Sequence, residues 1–551
     1  MRQRKNILFV MYDQLRFDYM SCAGHPHLHT PNFDRVAAMG VRFSRAYVQS
    51  PVCGASRMSF YTGRYVHSHG ASWNGFPLKV GEITLGDHLR RIGMNAVLVG
   101  KTHMRVDEEG MERLGLARNS MIGVRVAECG FDVWERDDGL WAEGPDGFYD
   151  EGPQPYNAYL KSRGYPGHNP WHDFANSGLG DDGDMASGWF MLNADKPANI
   201  AEEDSETPYM TRRAEEFIAK AGPRPWLCHL SYIKPHWPYI VPAPYHAMYS
   251  REHMLPPVRS DDERIDPHPV YKAFMENRIG RAFQRDDVRE KVIPAYMGLI
   301  KQCDDQLGRL LDLLEREGRL DDTMIVITSD HGDYLGDHWL GEKDLFHEQS
   351  VKVPLIVYDP SPEADSTRGS VSDALVEAID LAATFIEYAG GTVPDHIVEG
   401  RSLLPFLRGD QPSEWREFVV SEYDYSTTPM AENLGVPPKD ARLFMICDGK
   451  WKFIHAEGFR PMLFNLEADP SEFQDLGGQA AYDDIIAMMS DRLARWARRP
   501  SQRTTRSDAQ IEAMRGGGEG KGVLLGVADR GEVDSRFAGH YEGSPGRTHK
   551  E

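Results

Sequence analysis

Four apolar runs of this sequence each end in side chains that bind ions. Asp13 and Gln14 follow Asn6 to Met11, Lys101 and His103 follow Asn95 to Val99, Lys234 and His236 follow Trp226 to Tyr232, and Asp330 and His331 follow Met324 to Thr328. Two carboxylates, a carboxamide and an imidazole (Asp13, Asp330, Gln14, His331) make a donor set for a hard divalent cation rather than zinc, with calcium ahead of magnesium or manganese. Taken singly, Asp13-Gln14 reads as a turn closing a strand and Asp330-His-Gly-Asp333 as a helix cap. Four such pairs, each just past an apolar run, point to one shared centre. A fifth element joins them: Pro51 to Gly63 reads as a loop entering a helix, with Cys53 in the first turn and Arg57 one turn along the same face. A helix N-terminus and a guanidinium favour an anion beside Cys53. By itself Cys53 reads as a small buried hydrophobe.

The elements that must position these groups follow from the apolar patterning. The four runs, with Val353 to Tyr358, are short and near-continuous, as strands buried on both faces are. Helical spacing separates them at Pro31 to Met39, Leu85 to Arg91, Thr211 to Lys220 and Ala295 to Glu317. Strand and helix in alternation imply an α/β sandwich around a central, mostly parallel sheet flanked by helices. In such sheets ligands bind beyond the carboxyl ends of the strands, where the ion-binding pairs stand. No internal repeat is visible, which excludes solenoids and propellers.

Composition changes mark the domain plan. Residues 1–410 read as the α/β domain, with 106–203, rich in Gly, Asp, Trp, Tyr, Asn and Pro, as an insertion over one edge of the sheet near the site. Its aromatic residues Trp134, Trp141, Tyr149, Tyr156, Trp171 and Trp189 read as packing for the most part, with the lining of an aryl or cationic pocket as the alternative. Residues 411–500 read as a smaller α+β domain: short antiparallel strands at Phe418 to Glu422, Leu443 to Cys447, Trp451 to His455 and Met462 to Leu466, then a helix at Ala480 to Ala497. Residues 501–551 are a polar tail with Gly516-Gly-Gly518, suited to contacts in a homodimer or homotetramer.

With these elements laid out, Cys53-Gly-Ala-Ser-Arg57 resembles the sulfatase signature, in which Cys-x-Pro-x-Arg directs oxidation of the cysteine to formylglycine; here Ala55 replaces the proline. Gly93 to His103 resembles the second sulfatase signature. Further matches in family order are Asn6 to Gln14, Thr30-Pro-Asn-Phe-Asp34 through Val41-Arg-Phe43, Lys234-Pro-His236-Trp-Pro238, Thr328 to Asp333, Leu335-Gly-Asp-His338, Lys343, and Leu463-Phe-Asn-Leu466 with Asp469-Pro470. The chain is thereby identified as a member of the sulfatase branch of the alkaline phosphatase superfamily, which implies an alkaline-phosphatase-like sandwich. The Asp-Gln and Asp-His pairs resemble those of phosphonate monoester hydrolases and of choline-sulfatase-like enzymes, and the phrase Tyr232 to Tyr245 resembles the phosphonate hydrolases, whereas Lys101 and His103 are the sulfatase choice.

The resemblance implies the roles. Asp13, Gln14, Asp330, His331 and residue 53 hold one divalent cation, and hydrated formylglycine at Cys53 attacks sulfur. Lys101 and Lys343 hold the sulfuryl oxygens, Arg57 fixes the nucleophile, His236 gives the leaving oxygen its proton and His103 takes one afterwards. Asn74 is a further substrate contact, while His347 and Glu348 support the Lys343 loop. The implied activity is hydrolysis of aryl sulfate monoesters, with phosphonate monoesters and phosphodiesters as additional substrates or, in the alternative, as the primary ones. An unmodified, inactive anion-binding protein is the remaining alternative. The implied partners are a small-molecule sulfate or phosphonate ester and a formylglycine-generating maturation enzyme.

Charge and cysteine usage narrow the setting. Of 551 residues 62 are basic and 84 acidic, a net charge of −22 that argues against a nucleic-acid or anionic-membrane surface. No apolar run approaches the roughly 18 to 20 residues that span a bilayer. The apolar stretch Ile7 to Met11 is broken at Asp13 and no small-residue cleavage site follows, so a cytoplasmic protein is expected. The six cysteines are widely spaced, which excludes a disulfide framework or zinc ribbon. His25, His27, His29, His67 and His69 fit no zinc motif.

Overall fold

A strand with apolar residues at every position must be covered on both faces, and the first strand, β1 (Asn6–Asp13), is buried along its whole length. Its side chains alternate between two cores: Ile7, Phe9 and Met11 enter one, and Leu8, Val10 and Tyr12 the other. The computed structural model describes residues 5–139, 152, 154–500, 505–515 and 527–538.

The other strands of the main sheet are β2 (Val41–Tyr47), β3 (Asn95–Gly100), β4 (Asp132–Arg136), β7 (Trp226–Pro235), β8 (Thr323–Ser329), β9 (Leu355–Tyr358) and β10 (Ser370–Glu377). A hairpin, β5 (Ser177–Leu179) and β6 (Met185–Ser187), stands apart. The eight-stranded order is β10-β2-β9-β8-β1-β7-β3-β4, parallel throughout except that β9 runs antiparallel to both β2 and β8. β1 lies between β7 and β8 in register, Met11 opposite Ser231 and Thr328, so three site-bearing strands end at one level.

Three helices cover the first core face: α2 (Cys53–Thr62), Leu85–Arg91 and Asp380–Tyr388. On the opposite face lie α1 (Pro31–Met39), Glu206–Lys220 and Asp286–Arg316. α1 begins as its sequence dictates, with Pro31 in the first turn, where the missing N–H leaves no bond unmade. The long helix starts nine residues before the expected Ala295 because Pro294 lies inside it. Two strands, β2 and β10, escape the periodicity, and β4 lies within the segment read as an insertion, where it forms the parallel edge beside β3. Trp141, Tyr149 and Gly516 to Gly518 lie outside the described residues.

A second sheet of four antiparallel strands follows: β11 (Val419–Asp424), β12 (Arg442–Cys447), β13 (Trp451–Ala456) and β14 (Met462–Asn465). One face, with Val419, Met445 and Ile454, joins the core of the main sheet; the other, with Val420, Ile446 and Phe453, packs on the helix Asp483–Ala497. Residues to Val393 together with Val398–Arg499 therefore form one compact unit, and position 410 separates two sheets rather than two bodies. Pro394–Ile397 and Pro500–Glu551 form a second, small unit, which carries the short helices Asp508–Ala513 and Ser535–Ala538. All six cysteines are free. Among the described residues no helix is long and apolar enough to cross a membrane.

Candidate active site and metal centre

The carboxyl ends of β1, β3, β7 and β8 meet the N-terminus of α2, which is buried at every residue from Cys53 to Thr62. Gly54 N donates to Asn74 Oδ1 at 2.8 Å, so Asn74 caps the turn that carries Cys53. Ser56 Oγ donates to the Asp330 carbonyl at 2.6 Å and ties the same turn to the end of β8. β3 ends in Gly100 at φ +110, where a Cβ would stand 2.0 Å from the Ser231 carbonyl. Only glycine permits that approach, which delivers Lys101 to the centre.

Cys53 Sγ lies 2.7 Å from Lys343 Nζ, 3.0 Å from His331 Nε2 and 3.8 Å from Asp13 Oδ1. Arg57, wholly buried, spans the two carboxylates: Nε donates to Asp330 Oδ2 at 2.8 Å and Nη2 to Asp13 Oδ2 at 3.2 Å. Its Nη1 donates to the Lys101 carbonyl and to Ser231 Oγ, at 3.0 and 2.6 Å. Lys101 Nζ reaches Asp13 Oδ2 at 2.6 Å. His236 stands with Nε2 3.2 Å from Lys343 Nζ and 3.9 Å from Asp13 Oδ1, while its Nδ1 contacts the Trp237 carbonyl at 2.8 Å. That carbonyl accepts only a proton, so Nδ1 carries the hydrogen and Nε2 faces the centre as an acceptor.

Asp13, Cys53, Asp330 and His331 each offer a ligand atom, all within 4.8 Å of one another, a cluster able to hold a metal ion. Gln14 adds an independent sign. Held at φ +68, it donates Nε2 to Tyr239 OH at 2.9 Å and Asp333 Oδ2 at 2.5 Å, which leaves Oε1 buried with no hydrogen-bond partner. An orphaned buried carbonyl oxygen, on a residue whose own N–H donates to Asp330 Oδ1 at 3.1 Å, fits a cation better than it fits an empty polar pocket. His331 Nδ1 donates to the Gly332 carbonyl at 2.8 Å, so its Nε2 is the nitrogen that faces the cluster.

Charge is balanced tightly. Burial would raise Asp13, but Lys101, His236, Arg57 and His331 hold it well below the usual carboxylate range. Burial and Asp13 raise the Cys53 thiol, and Lys343, His331 and Lys101 outweigh them, so it falls below its ordinary value. Burial lowers His331, yet Asp330 and Cys53 push it up to about 9, a proton that a bound cation would displace. His236 is driven well below its ordinary value by burial, against Asp13 and with Lys343 and Lys101. His103 is likewise held neutral by burial, Lys101 and Lys343, and its buried Nδ1 has no partner.

Other residues singled out in the sequence lie elsewhere. Lys234 Nζ is consumed by Asn176 Oδ1 and the Pro238 carbonyl at 2.8 and 3.0 Å. His347 stacks on His338 at 3.7 Å, and Glu348 accepts from Lys452 Nζ and Tyr47 OH at 2.9 and 3.1 Å. Ser231, Tyr239 and Asp333, which position Arg57 and Gln14, went unassigned in the sequence. Ser231 carried a faint signal, a hydroxyl inside an apolar run, and Asp333 stood in plain view three residues after Asp330.

Comparison with known proteins bears on this arrangement. The Sulfatase family matches residues 5–391, and the family described as N-sulphoglucosamine sulphohydrolase, C-terminal, matches residues 336–499. The multifunctional alkaline phosphatase superfamily protein PehA of Trinickia caryophylli is 30% identical over 91% of this chain and 96% of its own length. An arylsulfatase of Clostridium perfringens is 28% identical over 88% of this chain and 92% of its own. The solved phosphonate monoester hydrolase SpPMH from Silicibacter pomeroyi superposes with a TM-score of 0.78 at 28% identity, covering 91% of this chain and 96% of that one.

Proposed function

Because the chain belongs to the sulfatase family and is a hydrolase, we propose that it cleaves sulfate monoesters, aryl sulfates foremost, and turns over phosphonate monoesters and phosphodiesters at the same centre. The observation that carries the reading is the convergence on Cys53: Lys343, His331 and Asp13 approach one sulfur from three separate elements. Oxidised to formylglycine by a maturation enzyme and hydrated, residue 53 would offer an oxygen nucleophile, and a divalent cation, calcium by preference, would supply the positive charge that lowers the pKa of its hydroxyl. The Asp13, Gln14, Asp330 and His331 donors would hold that cation.

The remaining work falls to the chain's own side chains. Lys343 and Lys101 offer cationic donors to the sulfuryl oxygens, and Arg57 keeps the two carboxylates from moving as charge develops. His236 Nε2 faces the centre and is the nitrogen placed to give the departing alkoxide a proton once it carries one; its other nitrogen is tied to the Trp237 carbonyl and cannot serve. His103, neutral and with an unpartnered nitrogen, is fit to accept a proton afterwards. A sulfate monoester, a phosphonate monoester and a phosphodiester each carry one negative charge on a tetrahedral centre. The same cation count therefore serves all three, which agrees with likeness to both an arylsulfatase and a phosphonate monoester hydrolase.

Matched 4-nitrophenyl sulfate, phenylphosphonate and diester substrates test the order. The sulfate is expected to have the highest kcat/KM; a phosphonate preference of tenfold would make phosphonate hydrolysis the primary activity, the reading favoured by the solved neighbour. An intact thiol at Cys53 in native material, together with no turnover of any ester, would instead mark an anion-binding protein.

A further inference from the structure

Resting on the reading of an aryl ester hydrolase, we infer that Trp237 and Trp189 form an aromatic wall against which the aryl group of the substrate stacks, so that these two residues set the preference for aromatic over aliphatic alcohols. The wall begins at the reacting centre. The His236 and Trp237 rings lie 4.2 Å apart and tilted by 40°, and Trp237 meets Trp189 at 5.0 Å. On this inference the substituent of a leaving oxygen at His236 Nε2 runs past the neighbouring Trp237 ring to Trp189.

The outer end of the wall is apolar and open. Five of the fifteen large hydrophobic side chains exposed among the described residues, Leu179, Met185, Trp189, Phe190 and Leu192, fall within residues 179–192. Trp189 is 41% and Phe190 70% exposed, while Trp171 behind them is buried and donates Nε1 to Glu206 at 2.7 Å. That density in one segment departs from the scattered single exposed apolar residues that need no explanation.

The mounting is firm. Gly188 N donates to the Asn176 carbonyl at 3.0 Å, and Asn176 Oδ1 accepts from Lys234 Nζ at the end of β7. A Cβ on Gly188 would come within 2.5 Å of that carbonyl and 2.9 Å of Ile240, so glycine lets the segment lie flat against the strand exit. The chemistry of the rim selects among alcohols. Offset or edge-on contact with the indole rings favours an aromatic alcohol over an aliphatic one.

The test uses metal-loaded enzyme. For Trp189→Ala the ratio of kcat/KM on 4-nitrophenyl sulfate to that on ethyl sulfate should fall about tenfold, through KM, with Trp189→Phe restoring most of it. A ratio that stays within twofold overturns the inference. Calorimetric titration of the Cys53→Ala protein with 4-nitrophenyl sulfate reads binding without turnover, so the wall stays testable even where no ester is hydrolysed. Affinity that does not change on adding Trp189→Ala sinks the wall alone. Loss of self-association in Trp189→Ala by light scattering, with the substrate ratio intact, would reassign the surface to contact between copies of the chain.

Discussion

Cys53→Ala is expected to lower kcat on an aryl sulfate by about four orders of magnitude, the scale on which enzymes lose a covalent nucleophile. Alanine keeps the helix start, because the Gly54 N–H to Asn74 bond and the Ser56 to Asp330 bond do not involve residue 53. It removes the one atom on which Lys343, His331 and Asp13 converge. The remaining donors, Asp13, Gln14, Asp330 and His331, should still retain a divalent cation. Metal content measured on the variant thus separates loss of the nucleophile from collapse of the site. Turnover within tenfold of the parent, with metal retained, would end the assignment of residue 53.

Arg57→Met should be the most destabilising single change at the centre. The guanidinium is fully buried and is the shared partner of two buried carboxylates, the Lys101 carbonyl and Ser231 Oγ. Removing one member of a buried ionic network leaves uncompensated charge at about 3–5 kcal/mol, here shared by Asp13 and Asp330. A thermal midpoint lower by about 5 °C in metal-free protein is the expected reading. Added calcium should recover part of the loss, since a divalent cation supplies the missing positive charge to the same oxygens. A metal-free midpoint unchanged within a degree would show that the carboxylates are balanced by other groups. The acid limb bears the same signature. Asp13 is held well below its ordinary value, so its share of stability is present above about pH 4 and is lost only as pH falls through the depressed value. Arg57→Met raises that value and moves the loss to higher pH.

The centre was more legible in the sequence than the sheet that builds it. Asp13, Lys101, His236 and Asp330 stand out because a strand buried on both faces is uniformly apolar, so the first charged residue beyond it is conspicuous. β2 and β10 lack that contrast: Val41–Tyr47 reads VRFSRAY, and Ser370–Glu377 is an edge strand with exposed polar residues. β4 is five residues of mixed polarity whose only strand partner among the described residues is β3, so nothing local distinguishes it from the surrounding loops. The helix expected from Ala295 begins at Asp286 and runs through Pro294, because its packing against the sheet outweighs one missing hydrogen bond. Asn74 could be guessed as a contact but not as the cap of Cys53's helix. The partners of Gln14 come from segments more than two hundred residues away and are set by tertiary register alone.

The closure around Cys53 has a consequence for the order of events in the life of the chain. Its thiol has no accessible surface and is held by Lys343, 290 residues downstream, and by His331, 278 residues downstream. Another protein's catalytic pocket cannot reach a sulfur so enclosed. The oxidation proposed for it must happen during synthesis or translocation, while β8 is still unpaired and residues 51–57 form an extended peptide. A chain that folds before meeting its modifying enzyme should keep an intact thiol however long the two are later mixed, and intact-mass measurement would show a post-folding conversion at once.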